Sequence, residues 1–507
     1  MNNPPGKPSL WLQLREPRIA TLFFLGFSAG LPILLIFSTL SLWLGEAGVQ
    51  KSAVTYFSWA ALGYSFKFVW APLVDKLPIP VVGRKLGRRR SWMLFSQLAI
   101  ALSILIMALI DPVHGLQGMA IAAVLLGFSS ATQDIVIDAF RIECADEKMQ
   151  ALLSSTYIAG YRVGMVTAGA GSLFLAEEFG STMSAYSYDA WRLTYLCMAA
   201  LVGVGVLTTL LCKEPERVAK DVYPYSAVDY CRFVVLFLVS VAGFIAVFLL
   251  WPNLAQSSGR LLQFANSTVN LVAALAVAVS LAMAGRYFGL VNRDMVEEGY
   301  VRPVQDFLKR YGKLAVWVLL LVGFYRVSDI VMGAIANVFY QDIGFSKKEI
   351  AAVAKFFGLL MTIAGSFAGG FLVLRYGVLK VLIAGIILSA SSNLLFMWLA
   401  AATPTLEGLK IVIAADNFSA GLAVAAFIAW LSSLTSISFT AVQYAIFSSV
   451  MTLFPKLLGG YSGTVVAAIG YEKFFLMTAV ISIPVVALIV FIGKHTVPSE
   501  LQISGNR

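Results

Sequence analysis

Charge is what this chain has little of. Asp, Glu, Lys and Arg make up 13% of its 507 residues, against 59% hydrophobic residues and a mean hydropathy of +0.83. A soluble protein of this size needs far more surface charge, so the composition leaves a polytopic membrane protein. Histidine is scarcer still. His114 and His495 lie far apart, and no metal-ligand cluster is visible. The four cysteines, Cys144, Cys197, Cys212 and Cys231, make no disulfide framework. Three fall near the basic, reducing side and are expected as free thiols. Long polar stretches are missing too, so an enzymatic head has nowhere to sit. Neither a nucleophile with its base nor a phosphate-cradling motif appears, and no cofactor or metal is expected. Met1–Arg18 is polar, carries Lys7, Arg15 and Arg18, and lacks a small-residue cleavage site. It reads as a cytoplasmic tail followed by a retained helix.

What is there is a succession of apolar runs, each near the ~20 residues that a bilayer demands. They fall at 19–43, 53–74, 92–110, 117–140, 152–175, 191–212, 231–251, 268–288, 314–340, 348–373, 378–400, 408–431, 440–468 and 472–493. Fourteen spans put both termini on one side. Most of the basic residues fall on that same side, above all in Val74–Ser91 and Gly285–Lys313. The +10 net charge therefore reports topology by the positive-inside rule and not nucleic-acid binding. Val304–Tyr311 reads as an amphipathic surface helix. The order suggests a six-helix bundle at 1–215, two inserted helices with a cytoplasmic linker at 216–312, and a second six-helix bundle with a short tail at 313–507. Gly26/Gly30, Gly160/Gly164, Gly365/Gly369 and Gly459/Gly463 have the spacing at which helix backbones approach closely. Sliding surfaces in a rocking carrier need the same feature.

The few charges inside the apolar runs carry the functional signal. In Ala131–Arg141, Asp134 and Asp138 are four residues apart and Arg141 three further, so all three share a helical stripe. Each costs about 2.5–3.5 kcal/mol at the centre of a lipid-facing helix. Such a stripe is expected to line a water-accessible cavity and to take part in moving something across the membrane. Arg162 lies at a depth comparable to that of Asp134 in the next helix, so a pair between them is expected. That pair is either a static strut or one that breaks and reforms as Asp134 takes up and releases a proton. Arg326 and Asp329, one turn apart, are expected to neutralise each other. Lys355 and Asp416 lack local partners and can pair across helices, or Lys355 can hold an anionic substrate. Lys67 and Lys456 can snorkel towards an interface. Gln133, Asn393, Asn417, Gln443 and Tyr444 suit either interhelical hydrogen bonds or the hydroxyls and ring faces of a sugar.

A glycine-and-basic loop follows the second helix of each half: Asp75…Gly83-Arg84…Gly87-Arg88-Arg89-Arg90, then Gly369-Gly370…Arg375-Tyr376-Gly377. It resembles the loop signature of the major facilitator superfamily, with Asp75, Gly87, Arg88 and Arg89 as its members in the first half. The run Ser129–Phe140 with Gly160-Tyr161-Arg162-Val163-Gly164-Met165 resembles the AmpG muropeptide permeases, a branch of that superfamily. Supporting matches are Gly26–Pro32, Phe66–Asp75, Lys355 with Gly358-Leu359-Leu360, Asp416-Asn417-Phe418 and Thr440–Ala445. One departure is Asp416, where the family leads one to expect a glutamate.

The resemblance implies an all-α integral membrane protein with two six-helix bundles and an inserted pair, fourteen helices in all. It implies proton-coupled import, from periplasm to cytoplasm, of peptidoglycan turnover fragments (GlcNAc–anhydro-MurNAc with or without peptide). It also implies a monomer in the bacterial inner membrane, and in many Gram-negative bacteria a role in wall recycling and β-lactamase induction. Asp134 is then the expected proton carrier, with Asp138 and the charge partner Arg162. Gln133, Tyr161, Tyr325, Lys355, Asp416, Asn417, Gln443 and Tyr444 are the expected substrate contacts. The related acetyl-CoA transporters share much of the pattern, which keeps a carrier for another polar anion as the alternative. A membrane enzyme or sensor is the remote one.

Overall fold

The computed structural model describes residues 16–49, 64, 66–79, 81–182, 185–215, 225–252, 260–346, 349–459 and 461–495. Apart from one isolated bridge between Thr182 and Ala185, the regular structure among them is helical. In chain order the main helices are α1 (Pro17–Glu46), α2 (Ala71–Lys76), α3 (Arg88–Ala108), α4 (Pro112–Glu143), α5 (Met149–Glu178) and α6 (Tyr188–Leu211). Then come α7 (Ala227–Leu250), α8 (Arg260–Tyr287), a short surface helix α9 (Arg302–Tyr311) and α10 (Leu314–Asp342). The last are α11 (Ala352–Tyr376), α12 (Val378–Ala401), α13 (Leu406–Leu434), α14 (Thr440–Gly459) and α15 (Ser462–His495).

Twelve helices among the described residues are long and apolar enough to cross a membrane. The expected tail at Met1–Arg18 and the outer part of the expected 53–74 span lie mostly outside the described residues. The inner part of that span is seen as a 3-10 turn, Lys67–Val69, running into α2. The expected 268–288 span is the apolar end of α8, and the expected surface helix is α9.

The loop echo between the halves has a structural counterpart. Gly87 caps the start of α3 at φ 88°, ψ 174°, and Gly377 caps the start of α12 at φ 86°, ψ 157°. A side chain is strained at that backbone angle, so glycine is what lets the third helix of each half start from a tight reversal.

Four of the glycines lock α1 to α5. A Cβ at Gly26 would meet the backbone of Tyr157, and one at Gly30 that of Tyr161. One at Gly160 would overlap the carbonyl of Phe23, and one at Gly164 that of Phe27. The same device joins α11 to α13, where Gly365 and Gly369 face Phe418 and Leu422. Gly463, by contrast, has only Ile335 Cδ1 at 3.8 Å. Small residues in register let helix backbones touch, and contact area replaces the hydrophobic drive that lipid does not supply.

The apolar cores show where the halves meet. One core at the end remote from the basic loops, around Trp43, Trp191 and Tyr195, is built wholly from α1–α6. Its counterpart around Phe339, Phe396 and Phe475 is built wholly from α10–α15. At the basic-loop end the cores are shared. Ala441 and Ala445 of α14 join the first half's core, and Ile142 of α4 joins the second half's. The inserted helices α7 and α8 pack on each other through Gly243 against Leu281 and Gly285 against Leu236. Phe244 of α7 meets Phe66 beside α2, ring centroids 6.2 Å apart.

Candidate functional site

The acids of α4 are held by the chain before α2. Lys67 Nζ lies 3.8 Å from Asp138 Oδ2, and Arg141 Nη2 lies 3.6 Å from Asp138 Oδ1. Lys67 is buried beside them, so the expected snorkelling to the interface is corrected: its ammonium stays with the acids. The expected pair between Asp134 and Arg162 is not formed either. Lys67 is the cation nearest in influence on Asp134, with Asp138 as its like-charged neighbour. Matching residue counts fixed the depth of Arg162 but not its direction, and it faces Arg326 and Asp329 of the other half. Asp134 is half-buried, and its Oδ1 has no hydrogen-bond partner. Tyr64, Tyr157 and Tyr161 surround it. Tyr64 donates to Ser130 Oγ at 2.7 Å, and Tyr157 and Tyr161 stack at 6.1 Å. The result is a carboxyl among aromatic rings with one cation in reach, an arrangement in which gain or loss of a proton alters local charge strongly.

Nearer the basic loops the halves are closed by polar contacts. Arg89 is buried and donates from Nη2 to Asp75 Oδ1 at 2.8 Å and to Glu143 Oε1 at 2.5 Å, and from Nε to Glu143 Oε2 at 3.0 Å. Thr440 of α14 donates to the same Glu143 carboxylate, so the cluster spans both halves. Glu214 Oε1 and Oε2 accept from the backbone N–H of Arg89 and Arg90 at 2.7 and 3.0 Å, a carboxylate at the positive end of α3. Burial would raise the Asp75 carboxyl, but Arg89 and Arg88 outweigh it and hold the group below its ordinary 3.8. Burial pushes Glu214 upward, against the two backbone N–H groups. Asp75, Gly87, Arg88 and Arg89 were singled out from sequence, whereas Glu143, Glu214 and Thr440 were not. Glu143 and Glu214, at the ends of α4 and α6, were visible only as ordinary helix-end acids.

Two further contacts cross between the halves. Arg141 Nη1 donates to Ser432 Oγ at 2.9 Å while also reaching Gln150 and Ser154, and its guanidinium lies 5.3 Å over the Tyr444 ring. Ser155 Oγ donates to the Ser366 carbonyl at 2.7 Å. Helix α9 adds a strap. Gln443 of α14 donates to Pro303 O at 2.8 Å and to Asp306 Oδ2 at 2.9 Å, and accepts from Arg310 at 2.9 Å. On the other side, Tyr300 donates to Val69 O at 2.9 Å, and Lys76 lies 3.5 Å from Glu298. Among the described residues, every hydrogen bond between the halves lies towards the basic-loop end.

The expected substrate contacts are scattered. Tyr161 and Arg162 are partly exposed between the halves. Arg326 and Asp329 pair at 2.7 Å where α10 breaks, both sides partly exposed. Lys355 is exposed and donates to Asn337 at 3.0 Å, while Asp416 accepts from Ser392 at 3.3 Å, so these two do not pair with each other. Asn417 is spent on Thr362 and the Ile413 carbonyl, and Tyr325 donates to Leu382 O while stacking on Phe427 at 4.4 Å. Gln133 is buried and donates to Ser28 at 3.1 Å, Tyr444 is buried against Arg141, and Gln443 belongs to the strap. In this conformation these last five serve packing, because their polar atoms already have protein partners or no route to solvent. Among the described residues no group of His, Cys and carboxylates is placed to hold a metal.

Comparison with known proteins agrees with this architecture. Residues 22–294 match the family described as Major Facilitator Superfamily. A protein of Rickettsia conorii named "Putative transporter AmpG 4" is 31% identical over 479 residues, covering 94% of this chain and 97% of that one. The anhydromuropeptide permease of Escherichia coli (strain K12) is 27% identical over 472 residues, 93% of this chain and 78% of that one. Among solved structures, the transporter FucP in the outward conformation has a TM-score of 0.60 at 12% identity, covering 94% of this chain and 98% of that one. The proton:xylose symporter XylE has a TM-score of 0.59 at 13% identity, covering 94% of each chain.

Proposed function

The chain belongs to the major facilitator superfamily and, within it, to the AmpG family, and from that premise we propose that it is a proton-coupled importer of anhydro-muropeptides. The cargo is GlcNAc–anhydro-MurNAc with or without its peptide, carried from periplasm to cytoplasm across the bacterial inner membrane. The two halves, 1–215 and 313–507, rock about a midplane site, with the basic loops in the cytoplasm. The reading is supported by the printed name of the E. coli relative and, above all, by Asp134. That carboxyl lies at membrane depth, half-buried, with one oxygen lacking any partner and Lys67 as its nearest cation.

In this scheme a proton entering from the periplasmic side neutralises Asp134. Lys67 is then left to Asp138, and the halves can close over the neutral site without burying a naked charge. Release of the proton on the inner side resets the acid. Proton coupling of this kind supports a carrier and not a catalyst.

Replacing Asp134 with Asn is expected to abolish uptake of labelled anhydro-muropeptide driven by a pH gradient in proteoliposomes, while equilibrium binding persists. Wild-type gradient-driven uptake by D134N would remove Asp134 from the mechanism. Competition with acetyl-CoA tests the rival cargo: displacement of the muropeptide at similar concentration would favour a broader anion carrier.

A further inference from the structure

The inter-half space carries cations whose charge the protein does not match with nearby acids. Arg162 of α5 has no hydrogen bond and no ion pair among the described residues, and it lies within electrostatic reach of Arg326 and Asp329 of α10. By rise per residue it sits roughly 22 Å into its helix from the basic-loop end, and Arg326 roughly 18 Å, so both are near mid-membrane. Lys456 of α14 likewise has no printed partner, is exposed, and lies within reach of Lys67 in one half and Arg326 in the other. Asp329 is committed to Arg326 at 2.7 Å, and the Arg326 Nε has no partner at all.

The backbone around Arg326 is itself interrupted. The first segment of α10 ends at Phe324 and the second begins at Val327, with Arg326 at φ −101°, ψ 9°. A cavity of about 20 Å³ opens beside the break, lined by Tyr325, Arg326, Ser328, Asp329 and Ser389, room for a water molecule. Discontinuous membrane helices turn the positive ends of their second segments towards anionic groups.

Three cations from three helices, two of them unpaired, are costly at this depth unless an anion joins them. The planar guanidinium fork of arginine suits a carboxylate held by two parallel hydrogen bonds, and an ammonium adds a compact charge. We infer that Arg162, Arg326 and Lys456 form a carboxylate-binding site shared by the two halves, which takes the acidic end of the transported solute. This rests on the muropeptide reading for the identity of the solute, but not for its charge. Because each half supplies part of the site, a bound carboxylate screens Arg162 from Arg326 and lets the halves approach. An empty site keeps them apart. Substrate occupancy is thereby tied to closure at the outer side.

The test uses the full-length protein in lipid nanodiscs and two ligands, GlcNAc–anhydro-MurNAc with its free lactyl carboxylate and the same disaccharide as its neutral methyl amide. Titration calorimetry of the wild type is expected to give at least tenfold tighter binding of the acid. R162Q and K456M are expected to bring the acid-to-amide ratio close to one, and R162K to restore part of it. K456M alters an exposed side chain and guards against a folding defect in R162Q. An unchanged ratio in both variants, or no acid preference in the wild type, would overturn the site.

If neither disaccharide binds the wild type, the muropeptide reading fails, and glutarate decides the carboxylate site separately. Glutarate should raise the melting temperature of the wild type by several degrees more than that of R162Q or K456M. Equal shifts in all three overturn it.

Discussion

At the scale of single residues, the energetics turn on Lys67. Its ammonium lies 3.8 Å from Asp138 with both side chains largely buried, and it is also the cation in reach of Asp134. Removing one member of a buried pair leaves the other charged and poorly solvated, at a cost of about 3–5 kcal/mol for a well-formed pair. Here the separation is long, so the lower end applies. K67M is expected to lower the melting temperature, and the double variant K67M/D138N to recover much of the loss. Additive losses in that cycle would show that Lys67 and Asp138 do not interact. The charges themselves were legible in the sequence because a charge in an apolar run stands out. Their partners were not. Depth along a helix follows from residue counting, but the direction of a side chain around the axis is set by packing, and that sent Arg162 towards Arg326 instead of Asp134.

At the scale of elements, the glycine pairs divide into tight and loose. Gly160 and Gly164 sit against the backbone carbonyls of Phe23 and Phe27. An alanine there forces α1 and α5 apart, and overpacking of this kind costs about 1–3 kcal/mol or more. G160A and G164A are expected to reduce folded yield and thermal stability, whereas G463A, with its nearest neighbour at 3.8 Å, should leave both unchanged. A fluorescence size-exclusion assay with a melting ramp measures this. The spacing had marked all four pairs alike, because a small-residue motif says that a backbone can approach and not that one does. The amphipathic α9 was also legible, from Val304–Tyr311. Its use as a strap was not, because Gln443 lies on α14, far along the chain.

At the scale of the whole molecule, the structure is closed towards the basic loops and separate at the other end. Arg89, Glu143 and Thr440 are the latch, and Cys144 lies beside it. Burial pushes the Cys144 thiol up to about 11. At pH 8 it is therefore almost wholly protonated, and only the thiolate reacts. In a protein whose other cysteines are serine, maleimide should label Cys144 slowly, with a rate rising about tenfold per pH unit below that value. R89Q removes the cation that joins Asp75 to Glu143 and should raise the labelling rate at fixed pH by opening the inner side. Added muropeptide, if it drives the same opening, should do likewise in the wild type. Labelling in R89Q no faster than in the wild type would mean that the latch does not hold the closed state.

The sequence by itself determined that this chain lives in the bilayer, how its spans are ordered, and which residues are too costly at depth to be there by accident. Hydropathy, charge asymmetry and helical spacing are properties of neighbours along the chain, and lipid reads them directly. Only the tertiary structure decided which charges meet, which glycines are pressed, and which end is shut. Those are relations between helices distant in sequence, fixed by how their surfaces fit, so no local pattern encodes them.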